Sequence, residues 1–349
     1  MLNPFDSLSP AAGLALYGLG LTTLAAVICG LSLALLLQTG WASRLALDHP
    51  NARSLHEEVV PRCGGWGILG TLLVILAATS PSLWRLIAAL CVLVVVSFLD
   101  DRQGMPILLR FGAQVLALLV VLSGYPQTLP WWVLAVSALA WLWGTNLYNF
   151  MDGADMMAGT MTVTGFAAYA AASATDNVSL TTVCLVASGS ALGFLWFNRP
   201  PARLFLGDVG SIPLGFLAGA MGFWGWRDGR WPYWFPFLVF SPFVADATVT
   251  LLRRLLRREK IWQAHREHYY QRLIQSGFSH ARTTGIWAGA MLLAALLGLL
   301  LLRSTPLWQG IGIAAWCVAL ALVGAGIDLR WMRQANAGSQ SGSQSEDEA

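Results

Sequence analysis

The sequence predicts an all-α, polytopic membrane protein with about 10–11 transmembrane helices, on three observations. Hydrophobic residues make up 56% of the 349 and charged residues only 11%, where a soluble domain carries about 25% charged. Apolar runs recur along nearly the whole chain, several near the roughly 20 residues that a helix needs to cross a bilayer. Lys and Arg fall in alternate loops between those runs. Since hydrocarbon offers the backbone no hydrogen-bonding partner, such runs must be helices.

In chain order the candidate spans are about 11–37, 66–80, 83–99, 111–123, 130–148, 158–175, 180–197, 212–226, 232–252, 284–302 and 306–328. Residues 1–10 carry no Lys or Arg, and the run after them is too long for a cleaved signal peptide, so it reads as a helix that stays. The spans at 66–80 and 111–123 are short for a crossing. Residues 1–333 form one integral-membrane domain. The remainder, 334–349, is rich in Ser, Gly and Gln, ends Glu346-Asp347-Glu348-Ala349, and is predicted to be disordered.

Orientation follows from charge. Seventeen of the 21 Lys and Arg lie in one set of loops; Arg85, Arg227, Arg230 and Arg303 lie in the other. The positive-inside rule then puts the N-terminus in the periplasm and the rich loops in the cytoplasm. A net charge of +3 argues for no nucleic-acid partner. Cys29, Cys63, Cys91, Cys184 and Cys317 show no C-x-x-C spacing, which excludes a zinc knuckle or disulfide framework and leaves them as small packing residues.

The polar residues crowd the same loops. Asn146, Asn149 and Asp152, three apart at the end of a Trp-rich span, cover an arc of only about 120° on a helix; Asp155 neighbours Asp152 if the helix runs on past Gly153. Asp100 and Asp101 close another span. Adjacent carboxylates at a low-dielectric boundary need a cation or a proton, and they point about 100° apart. In Phe205-Leu206-Gly207-Asp208-Val209-Gly210-Ser211 the glycines allow close backbone approach to a phosphate, the following helix N-terminus favours anions, and Asp208 suits Mg²⁺. His265 and His268 beside arginines read as a phosphate contact or as solvated surface. Arg253-Arg254 and Arg257-Arg258 fit an anchor on anionic headgroups. Asp246, inside a span, should face a site or a partner.

The order of these motifs resembles the polyprenyl-phosphate N-acetylhexosamine-1-phosphate transferases, glycosyltransferase family 4. It comprises Asp100-Asp101, Asn146-x-x-Asn149-x-x-Asp152-Gly153-x-Asp155, Asn198 with Pro201-Ala202, Phe205-x-Gly207-Asp208-x-Gly210-Ser211 and His265-x-x-His268. The stretches Pro50-Asn51-Ala52-Arg53-Ser54-x-His56 and Pro61-Arg62-x-Gly64-Gly65 look most like the O-antigen-initiating branch, a relative of the phospho-MurNAc-pentapeptide translocase. The resemblance implies a Mg²⁺-dependent reaction, with Mn²⁺ a substitute. Undecaprenyl phosphate attacks a UDP-N-acetylhexosamine and releases UMP, initiating lipopolysaccharide O-antigen or a related envelope glycan at the bacterial inner membrane. The sugar would be GlcNAc or a 6-deoxy-HexNAc such as FucNAc or QuiNAc.

The same resemblance assigns Asp208 and Asp100 to the metal and Asp100, Asp101 and Asp152 to catalysis, with Asp100 the proposed base. Asn149, Asp155, Asn198, Phe205, His265, His268, Arg53 and Arg62 are assigned to substrate, and a homodimer is the expected assembly. Two departures stand out. The family commonly has a second glycine where this chain has Met156, and the translocase branch has three consecutive histidines where this chain has His265-Arg266-Glu267-His268. The second favours a simpler sugar nucleotide. The rival readings are a lipid or ion transporter, which calls for mid-span acids and repeat symmetry, and a CDP-alcohol phosphotransferase, whose arginine-bearing motif is missing after Asp152-Gly153.

Overall fold

The computed structural model describes residues 10–48, 59–125, 128–175, 177–260 and 265–347. Its helices are α1 (Pro10–Gln38), α2 (Ala42–Leu45), α3 (Gly64–Thr79), α4 (Trp84–Gln103), α5 (Ile107–Leu122), α6 (Trp131–Phe150), α7 (Met157–Ser173), α8 (Val178–Asn198), α9 (Asp208–Arg227), α10 (Trp234–Val239), α11 (Ser241–Leu256), α12 (Tyr269–Gln275), α13 (His280–Leu302) and α14 (Pro306–Asp347). The described strands are β1 (Leu47–Asp48) and β2 (Val60–Pro61), an antiparallel pair with Asp48 opposite Val60. The fold is all-α in its spanning part, as expected.

Among the described residues, five helices are long and apolar enough to cross a membrane by themselves: Ala12–Gln38, Pro81–Gln103, Val178–Asn198, His280–Leu302 and Pro306–Gln334. Gly64–Thr79 and Ile107–Leu122 are shorter apolar helices, at the two places where the sequence runs are short. The expected span at 232–252 is two helices, α10 and α11, broken at Phe240. Pro242, at the start of α11, has no N–H to continue the α10 ladder, so the chain restarts its hydrogen bonding there. At the C-terminus the α14 backbone stays helical to Asp347, through the segment expected to be disordered. No proline follows Pro306 to stop a helix already nucleated by an apolar span.

Glycines set the packing of the interior. A Cβ on Gly189 or Gly193 of α8 would strike the carbonyls of Thr22 or Ala26 on α1, a small-x-x-x-small contact that lets two backbones meet. On α9, Gly215 lies against Thr145 and Gly219 against Trp141 of α6, and Trp141 Nε1 donates to the Phe216 carbonyl at 2.7 Å. Helix α9 is therefore walled in by neighbours, and its first residue is held in a fixed place at one end of the bundle. The links after α1, α4, α6, α8 and α11 meet at that same end.

Candidate active site

The adjacent acids at the end of α4 diverge as their helical spacing requires. Asp100 turns to the α4–α5 corner, where one carboxylate oxygen accepts the Met105 amide at 2.6 Å and the other accepts Arg110 Nη1 at 2.8 Å. Asp101 turns the other way. Its Oδ2 accepts the Val209 amide at 3.4 Å, and its Oδ1 lies 3.5 Å from Arg62 Nη1, with only 2% of the side chain exposed. Of the pair, Asp101 reaches the N-terminus of α9 and Asp100 fastens the neighbouring turn.

Helix α9 begins at Asp208, directly after Gly207 at φ +73°. A side chain at Gly207 would be strained by that φ and would press on Asp101 Oδ2, 3.2 Å from a Cβ. The first turn of α9 offers backbone N–H groups and the positive end of its dipole, which favour nearby carboxylates.

Helix α6 ends at Phe150 and α7 begins at Met157, so Asp152 and Asp155 stand in a loop and not on a continuing helix. Asn149 Oδ1 accepts the Ser211 hydroxyl at 2.6 Å, tying α6 to α9. Asp152 follows. Burial holds its carboxyl well above the ordinary range, the Asp208 and then the Asp101 carboxylates push the same way, and Arg62 opposes them. Those three influences place Asp101, Asp152, Asp208 and Arg62 in one electrostatic neighbourhood. Asn146 lies a turn away, exchanging amide hydrogen bonds with Gln114 of α5.

Arg62 leaves β2 to bridge Asp48 at 2.8 Å and Asp101 at 3.5 Å. Burial works against its charge, but Asp48, Asp101 and Asp208 more than offset this and hold it protonated. The β2 edge is continued by Phe205, whose amide donates to the Pro61 carbonyl at 2.8 Å and whose carbonyl accepts from Gly64 at 2.8 Å. The two loops flanking the acids are braced by Asn198. Its Oδ1 accepts the Met156 amide at 2.7 Å and its Nδ2 donates to the Leu204 carbonyl at 2.9 Å. Asp155 accepts the Ala202 amide at 3.2 Å. Met156 sits at φ +64°, so the position where the family commonly has glycine is one where glycine's freedom would be used.

The histidines come to the same end. His268 caps α12 and its ring stacks on Phe150, centroids 6.4 Å apart, while His265 lies 4.8 Å from it. Burial pushes the His265 imidazole down to about 4, with His268 and Arg254 adding to the effect, so this ring is neutral at pH 7. Arg253 pairs with Asp328 at 2.7 Å, Arg254 with Glu259 at 2.8 Å and Arg257 with Glu267 at 3.0 Å. The arginines expected to grip headgroups are thus largely committed to carboxylates within the chain.

The structure brings together Arg62, Asp101, Asp152 and Asp208, with Asn149 alongside and His268 joined through Phe150. Asp100 fastens the α4–α5 corner and still adds its charge at Asp208 and Asp101, and Asp155 and Asn198 hold loops. Arg53 lies outside the described residues. Gln114 carries an interaction that the motifs did not flag; a glutamine inside an apolar run was the available signal for it. Among the described residues no three His, Cys, Asp or Glu side chains form a ready-made metal cage. The donor chemistry nevertheless fits a hard divalent cation, because Mg²⁺ is commonly held by one or two carboxylates together with substrate phosphates.

The sequence profile of glycosyl transferase family 4 matches residues 83–225, which include every acid of the cluster. The chain is 28% identical over 255 residues to a probable undecaprenyl-phosphate N-acetylglucosaminyl 1-phosphate transferase of Bacillus subtilis, covering 67% of this chain and 71% of the relative. It is 28% identical over 319 residues to a decaprenyl-phosphate N-acetylglucosaminephosphotransferase of Mycobacterium tuberculosis, covering 73% and 76%. It is 31% identical over 245 residues to a phospho-N-acetylmuramoyl-pentapeptide-transferase of Synechococcus elongatus, covering 61% and 66%. With its acids converging at one end of an all-helical membrane bundle, the chain resembles glycosyl transferase family 4, whose profile it matches over residues 83–225.

Proposed function

We propose that this protein transfers an N-acetylhexosamine-1-phosphate from a UDP-sugar to undecaprenyl phosphate, releasing UMP and initiating O-antigen or a related envelope glycan. The observation that carries the reading is the convergence of Asp101, Asp152 and Asp208 on Arg62 at the N-terminus of α9. Phosphoryl transfer asks a protein mainly for positioning and charge neutralisation. A cluster of acids with one half-buried guanidinium is suited to bind a divalent cation that neutralises the diphosphate.

In this proposal Asp208 holds Mg²⁺ or Mn²⁺, with Asp152 or Asp101 as a second oxygen donor. The bound metal supplies Lewis-acid neutralisation of the diphosphate. Asp101, nearest the α9 amides, takes the role the motif alone gave to Asp100, while Asp100 keeps the α4–α5 corner closed through Arg110. Arg62 steadies the acids before the substrate arrives. His265, neutral, offers a hydrogen bond but no charge to a phosphate. The positive-inside asymmetry supports a cytoplasmic position for this end of the bundle, where a water-soluble nucleotide sugar and a lipid phosphate would meet. The sugar is GlcNAc or a 6-deoxy relative.

The test is to incubate the purified protein with undecaprenyl phosphate, Mg²⁺ and a panel of UDP-sugars, and to weigh the lipid product. A lipid diphosphate-sugar formed with one UMP released per turnover is expected. Substrate moved across a vesicle wall with no product would favour the transporter reading.

A further inference from the structure

Asp246 is a carboxylate in the first half of α11, only 3% exposed, in a segment that is otherwise mostly apolar. No role in the acid cluster is open to it. Instead, its two oxygens receive the start of α12: Oδ1 accepts the Tyr269 amide at 2.9 Å, Oδ2 accepts the Tyr270 amide at 3.1 Å, and Oδ1 lies 3.2 Å from His268 Nδ1. Thr250 donates to Oδ1 at 3.4 Å. With N–H groups already on both oxygens, the carboxylate acts as acceptor, and the ring nitrogen facing it must be the donor. His268 is itself 3% exposed and lies between Phe150, stacked at 6.4 Å, and Tyr270, at 5.9 Å. The Tyr270 hydroxyl donates to the Phe150 carbonyl at 3.4 Å and leaves no room for a side chain at Gly153.

We propose that Asp246 is the positioning residue for His268, fixing a proton on Nδ1 and its ring against the 149–153 stretch, so that Nε2 is the one ring nitrogen left to face substrate, accepting a hydrogen bond when bare and donating one to a phosphoryl oxygen only when it too is protonated. The inference rests on the reading of His268 as a substrate contact given above. A carboxylate behind an imidazole sets which nitrogen is protonated and the direction in which the other is presented. Asp246 does both while capping α12. Its carboxylate therefore couples α11 to the end of α6, which carries Asn149, and to the loop that carries Asp152, without touching the substrate.

The experiment has two arms. Nitrogen NMR on histidine-labelled protein, with His268→Gln to assign the resonance among five histidines, reads the ring directly. A protonated Nδ1 is expected, with Nε2 the nitrogen whose shift moves when UDP-N-acetylglucosamine and Mg²⁺ are added. A bare Nδ1 overturns the proposal. In the kinetic arm, Asp246→Asn and His268→Gln are each expected to lower kcat about 10- to 100-fold, and the double variant no further than the worse single one. Multiplying losses would mean that Asp246 acts apart from His268 and would overturn the proposal. Should Asp246→Asn fail to fold, the wild-type spectrum alone decides. Should the wild-type protein turn over no UDP-sugar, the proposed function fails, and the Nδ1 resonance still decides the pairing.

Discussion

At the scale of the residue, the two neighbours Asp100 and Asp101 show how far adjacent carboxylates can diverge in their partners. One helical step sends Asp100 to Arg110 and Asp101 to the α9 amides. Asp101→Asn is therefore expected to reduce UMP release by about 10²-fold or more with the protein folded, the scale of losing a group aimed at reacting charge. Asp100→Asn should act chiefly through stability, visible as a lower Tm. Met156 gives a second prediction. In its left-handed backbone a β-branched residue is a greater outlier than an unbranched one, so Met156→Val should lower the Tm, and Met156→Gly should leave UMP release unchanged.

His265 gives a third, through pH. Its imidazole is pushed down to about 4 in the folded chain from an ordinary 6.5. The unfolded chain thus binds more protons between those values, and stability contributed by the neutral ring is present above 6.5 and lost as pH falls toward 4. Thermal scans across that window should show a shallower slope for His265→Gln than for the wild type.

At the scale of the element, much of the site was legible because it sits at helix ends. Apolar runs followed by Asp100-Asp101, by Asn149 to Asp155 and by Gly207-Asp208 announce where spans stop, and alternation puts all those stops on one side. What could not be read was direction. Periodicity gives the face of a residue on its own helix but not the neighbour that waits there, so nothing distinguished Asn146, paired with Gln114, from Asn149, bonded to Ser211. The break in the ninth span was signalled by Pro236 and Pro242, yet a summed hydropathy reads straight through prolines. Likewise the arginines of 253–258 looked free because their partners Glu259, Glu267 and Asp328 lie across loops or on another helix.

Asp328 also makes a prediction for this scale. It receives Arg272 at 2.7 Å as well as Arg253, clasping α14 to α11 and α12. Asp328→Ala takes one partner from the buried Arg272 and one from the half-exposed Arg253 and should cost about 1–3 kcal/mol, read as a drop in Tm, with a loosened histidine loop read as faster hydrogen exchange over 265–275.

At the scale of the whole molecule, the bundle serves to bring distant stretches of chain to one place. Arg62 precedes α3, Asp101 ends α4, Asp152 follows α6 and Asp208 begins α9, so four separate segments must pack correctly before the acids meet. The glycine faces of α8 and α9 make that packing close enough, which is why bulky substitutions far from the acids should be felt at them. The central claim is that these carboxylates together hold one hard divalent cation. Its most direct test is an electron paramagnetic resonance titration of Mn²⁺ into the purified protein with UDP-N-acetylglucosamine present. The account predicts a single tight Mn²⁺ per chain, lost in Asp208→Asn and weakened in Asp152→Asn. Undiminished Mn²⁺ binding in both variants would contradict it.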